Sequence, residues 1–149
     1  MNPYIFSTEA SPHMSLDQRL DDLADLYVGL AHGVDGRMHF NEFTQIADHL
    51  LRWRHPDDPR DVLDLVDAAV SEYDPTRVVQ AVDRLGRVMS TRERTAVMED
   101  LSEIALADRR FLREEAEYIV WVAKAWDILA PGNSAGAFSS VFRAASAGL

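Results

Sequence analysis

From Ser15 to the end of the chain the apolar residues recur at spacings of three and four, and no segment of four or more alternates with period two. A chain patterned in this way has no strand to contribute to a sheet, so an all-α fold follows. Leu16, Leu20, Leu23, Tyr27, Leu30 and Ala31 place a first helix over about 16 to 33, with Ser15 and Gln18 as a capping box. Phe43, Ile46, Ala47, Leu50 and Leu51 mark a second helix that ends near Trp53. Asp58 followed by Pro59, and Asp74 followed by Pro75, read as N-cap and N1 pairs and start third and fourth helices near 59 and 75. Ser90 with Glu93 opens a fifth helix to about 107. A sixth spans about 113 to 129, and Phe138, Val141, Phe142 and Ala145 carry a short seventh.

The middle of the sixth helix, YIVWVAKAW, is apolar nearly all round, which marks a buried central helix or a surface for a partner. On the first helix Asp17, Asp21 and Asp25 stand at like-charge i,i+4 spacing, and the expected reading is a solvated face. Trp53, Trp121 and Trp126 read as core or interface anchors. His32, His39 and His49 lack partners in the sequence and read as surface histidines.

The chain has 149 residues, enough for one domain, taken here as 15–149 behind an N-terminal arm of residues 1–14. It contains no cysteine, so disulfides, thiolate zinc sites and cysteine nucleophiles are excluded. A net charge of −10 argues against nucleic acid and favours hard cations or basic protein surfaces. No stretch approaches the roughly 20 apolar residues of a membrane span, and the N-terminus lacks the basic and apolar regions of a signal peptide. A cytoplasmic protein without direct membrane insertion is the expectation. Its partner is a protein of unknown identity, with a homo-oligomer as an open alternative.

Shifting the chain by 73 positions lays VDGRMHFNEF (34–43) on ADRRFLREEA (107–116). Asp35 falls on Asp108 and Glu42 on Glu115, each Glu seven residues after its Asp. The match runs outward to Val28 on Leu101, Ile46 on Ile119 and Trp53 on Trp126. Each Asp follows the end of one helix, and each Glu sits in the first turn of the next, where unpaired N–H groups favour an anion.

This pair of motifs, each between helices, resembles the TerB-like family of bacterial tellurite-resistance and stress-associated proteins over roughly residues 16 to 129. The resemblance implies a single compact domain of about seven helices with an internal pseudo-twofold, in which two loops bring acidic residues together. It also implies a role in metal-linked or membrane-linked stress complexes, without enzymatic activity. Carried over, the family's acidic positions are Asp35, Glu42, Asp108 and Glu115. The first copy has Val34 where Ala is usual, and the second has Arg109 where Gly is expected.

An EF-hand is excluded on ligand count, because Ala31 and Gly33 would fall where oxygen ligands are required. Two readings of the four carboxylates remain. They surround a shared cation such as Ca2+, Mg2+ or Mn2+, or they act locally, the Glu residues as N3 caps and the Asp residues in Asx turns. No phosphate loop, zinc-protease motif or nucleophile elbow is present, and the chain reads as a non-enzyme. The expected function is a stress-associated helical module that docks partners through acidic and apolar faces, with a divalent-cation sensor as the alternative.

Overall fold

The computed structural model describes residues 15–35, 40–107 and 113–128. Among these, six helices and no strands occur: α1 (Leu16–Asp35), α2 (Phe40–Trp53), α3 (Val62–Ser71), α4 (Pro75–Val88), α5 (Thr91–Leu106) and α6 (Arg113–Ala125). The seventh helix expected over Phe138 to Ala145, and the N-terminal arm, lie outside the described residues. None of the described helices is long and apolar enough to cross a membrane.

The helix starts follow from side-chain caps. Asp74 accepts from the Thr76 amide with Pro75 at N1, and Ser90 and Glu93 form both halves of a capping box. At α1 only half the expected box forms. The Gln18 amide donates to Ser15 Oγ, while the Gln18 side chain turns to Asp22.

Two helix limits differ from expectation. The third helix begins at Val62, capped by Asp61 through the Leu63 amide, and not at Pro59. Asp58 is drawn instead into a tight turn with the Arg60 amide and guanidinium, so it is not free to cap a helix. The sixth stops at Ala125, four residues early, because Asp127 adopts a left-handed φ of 56°. The Ile128 amide then reaches Ala123 O and the Asp127 amide reaches Lys124 O, a Schellman end built on a residue other than glycine.

α1 is the central helix and packs against each of the other five. Residues 22 to 31 are buried without interruption. The sequence had suggested α6 for this place, but α6 keeps Glu117, Trp121 and Lys124 exposed. Hydropathy misses α1 because it counts Asp22 and Asp25 as surface, whereas both are buried.

The halves repeat as expected. Moved by 73 positions, the start of α2 falls on the start of α6. α1 packs on α6 as α5 packs on α2, and α1 also meets α5. Gly29 permits one close crossing: a Cβ there would stand 2.7 Å from Tyr118 Oη, whose hydroxyl donates to Leu26 O.

Candidate functional site

The repeated glutamates occupy equivalent places. Glu42 is the third residue of α2 and Glu115 the third of α6, and both are buried. This is the N3 position anticipated from the sequence, where the helix dipole favours a carboxylate. Asp35 closes α1, but its side chain and the whole of Asp108 lie outside the described residues, as do His39 and the arginines at 37, 109 and 110. The four-carboxylate constellation is therefore represented only by its two glutamates.

A second polar cluster, which the sequence reading did not single out, is buried where α1, α2 and α5 meet. Asp100 is 1% exposed, and its Oδ2 accepts from Tyr27 Oη at 2.6 Å and from Trp53 Nε1 at 2.8 Å. Burial, and then the neighbouring Asp100 carboxylate, push the Tyr27 phenol well above its ordinary range, so it remains a donor. Asp100 Oδ1 lies 2.9 Å from His49 Nδ1, yet accepts no hydrogen bond.

His49 is fully buried, contrary to its reading as a surface histidine. Its Nε2 stands 3.1 Å from Oε2 of Glu103, a half-exposed residue one turn beyond Asp100 on α5. A neutral imidazole has one N–H and can donate to only one of two carboxylates. Arg52 supplies a positive charge beside the ring: its Nη2 touches Nδ1 and lies 3.9 Å from Glu103 Oε2.

The signal for this cluster was present but was misassigned. His49 lies three residues after Ile46 and four before Trp53, on the inner face of α2, while Leu51, read as part of that face, is 52% exposed. Asp100 likewise falls between Val97, Leu101 and Ile104 on the inner face of α5.

The acidic face of α1 is solvated at Asp17 and partly at Asp21, but Asp25, and Asp22 beside it, are buried against arginines. Arg84 forks onto Asp22 with bonds of 2.9 and 2.8 Å, Arg77 reaches Asp25 at 3.2 Å and Glu72 at 2.7 Å, and Arg60 joins Asp21 to Asp58. The cations that this face attracts are the protein's own arginines. Burial raises the Asp25 carboxyl despite Arg77, whereas hydrogen bonds from Arg60 hold Asp58 below the usual carboxylate range. The Arg77 and Arg84 pairs line a polar cleft of about 350 Å³ between α1, α3 and α4.

An apolar cleft of about 370 Å³ separates α4 from α6. Trp126 forms its floor, buried and donating from Nε1 to Val82 O. Val79, 53% exposed, and Trp121, 38% exposed, form its rim. Of the three tryptophans, Trp53 and Trp126 are core residues, while Trp121 presents an edge to Tyr118 and reaches solvent.

No curated protein and no solved structure matches this chain. The family model described as tellurite resistance protein TerB matches residues 24–130, which takes in all of α2 to α6, most of α1, and both copies of the repeated motif. With the all-helical architecture and the duplicated helix pair, that match places the chain in the TerB family.

Proposed function

We propose that this protein is a noncatalytic, cytoplasmic module of a tellurite-associated stress response, which acts by docking a protein partner on the apolar cleft between α4 and α6. The observation that carries this reading is the contrast between the two clefts. In the polar cleft, ion pairs within the chain satisfy the charges. In the apolar cleft, Val79 and Trp121 remain in water, and an exposed tryptophan beside apolar side chains is the composition that partner surfaces favour.

The test is complementation of a strain lacking the gene. Wild-type protein should restore tellurite tolerance. The Val79→Ser, Trp121→Ser double variant should not, although its melting temperature stays near that of wild type. Full rescue by the variant would sink the docking reading, and a deletion without effect on tolerance would sink the tellurite reading.

Cation binding by the paired loops is the second reading. It is favoured by the burial of Glu42 and Glu115 at equivalent N3 positions, since a buried carboxylate gains from a nearby cation. Thermal unfolding of chelator-stripped protein with Ca2+, Mg2+ or Mn2+ tests it. The midpoint should rise in wild type and not in the Asp35→Asn, Asp108→Asn double variant.

A further inference from the structure

We propose that His49, Asp100 and Glu103 form a site for a divalent transition cation, best matched by Zn2+, at the contact between α2 and α5. One potential ligand atom from each residue lies within 4.8 Å of the other two. The imidazole stands between the carboxylates, its Nδ1 2.9 Å from Asp100 Oδ1 and its Nε2 3.1 Å from Glu103 Oε2. Bonds of about 2.0 to 2.2 Å in a tetrahedral site put neighbouring ligand atoms roughly 3.3 Å apart. An imidazole binds an ion through one nitrogen, so with Nδ1 beside Asp100 the half-exposed Glu103 must swing in by up to about 1.5 Å from the 4.8 Å limit to complete the site.

An internal salt-bridge network alone leaves one feature unexplained. Asp100 Oδ1 is buried, faces the imidazole and accepts no hydrogen bond, although a buried carboxylate oxygen normally does. Its sister oxygen is held by Tyr27 and Trp53, the outer-shell support that ligating carboxylates typically have. The carboxylate is thus oriented with one oxygen engaged and the other presented to His49.

Donor chemistry selects the ion. One imidazole and two carboxylates suit Zn2+ and its neighbours better than Ca2+ or Mg2+, which favour all-oxygen shells. Three protein ligands leave the fourth position to solvent. Glu103 is 47% exposed and provides the entry path, while the buried His49 and Asp100 fix the inner wall.

Arg52 lies where it would compete with the ion. Its guanidinium touches His49 and faces Glu103, and at 40% exposure it has room to swing into water. The cation replaces this charge as the counterion of the two carboxylates, and any proton on the coordinating ring nitrogen passes to solvent. This site shares no residue with the paired loops, so it stands or falls separately from that reading.

The test uses the full-length, chelator-stripped protein with Co2+ as a spectroscopic substitute and Zn2+ as competitor. Wild type should give saturable visible absorption that Zn2+ abolishes. Glu103→Gln, a half-exposed change that spares the fold, should weaken Co2+ binding by at least about tenfold. Arg52→Gln should tighten it, because a competing charge is removed. The Asp35→Asn, Asp108→Asn double variant should retain the same band. The proposal fails if wild type gives no band, if Glu103→Gln binds as well as wild type, if Arg52→Gln weakens binding, or if the loop variant loses the band.

Discussion

Tyr27 and Asp100 occupy the same position in the two halves of the molecule and hydrogen bond to each other at 2.6 Å, across 73 residues of sequence. Only positions on a local twofold axis can meet their own counterparts, so this bond marks the axis relating α1–α2 to α5–α6. It also marks where the symmetry breaks. One half supplies a phenol and the other a carboxylate, a donor and an acceptor where two identical residues could not pair as well.

Removing the donor should cost stability. Tyr27→Phe keeps the ring but takes one of two donors from a buried carboxylate, at about 1.5 to 3 kcal/mol for a hydrogen bond to a charged group. Urea unfolding should show this loss as a lower midpoint with an unchanged slope.

Asp22 and Arg84 give an asymmetric pair of variants. Arg84→Ala strands a carboxylate that is 1% exposed, with Gln18 as its remaining neighbour. The expected penalty is about 2 to 3 kcal/mol, below the value for a fully buried pair because Arg84 itself reaches solvent. Asp22→Leu combined with Arg84→Met should recover most of it. Chemical denaturation of the two variants side by side checks the difference.

Asp25 predicts a pH dependence of definite sign. Burial raises its carboxyl pKa in the folded state above the ordinary aspartate value of about 3.9, so the folded form takes up its proton first as pH falls. Its contribution is therefore fully present below the ordinary value and is lost as pH rises through the raised one. Asp25→Asn removes this term. The stability of the variant relative to wild type should decline on acidification through that window, as followed by thermal melts at stepped pH.

Gly86 tests the closeness of α4 and α6. A Cβ at that position would lie 2.7 Å from Trp126 Cδ1, and the indole cannot retreat without giving up its bond to Val82 O. Gly86→Ala should cost about 1 to 3 kcal/mol, typical of overpacking, despite the better helix propensity of alanine. Near-ultraviolet circular dichroism should register the displaced tryptophan.

Much of the architecture was legible because α4 and α5 begin at caps whose partners lie two or three residues away. The repeat was legible for a similar reason, since it compares the chain only with itself. What escaped was the chemistry of buried polar residues. Spacing places His49 on the inner face of α2, but its chemistry is not local, because its partners, Asp100 and Glu103, arrive from another helix. Asp22 and Asp25 were concealed likewise, since Arg84 and Arg77 lie more than 50 residues away. Asp127 concealed a helix end because its backbone takes a conformation usually signalled by glycine.

The arginine pairs along α1 have a mechanical consequence. Arg77 and Arg84 are two turns apart on α4 and meet Asp25 and Asp22 in reverse order along α1, so the helices run in opposite directions under a doubly pinned contact. Sliding either helix by one turn, about 5.4 Å, would draw both carboxylates away from their guanidinium partners while they remained in the interior. Hydrophobic side chains alone tolerate such slippage far better. α1 and α4 therefore move as one body, and any shape change that accompanies binding must pivot about the other helices.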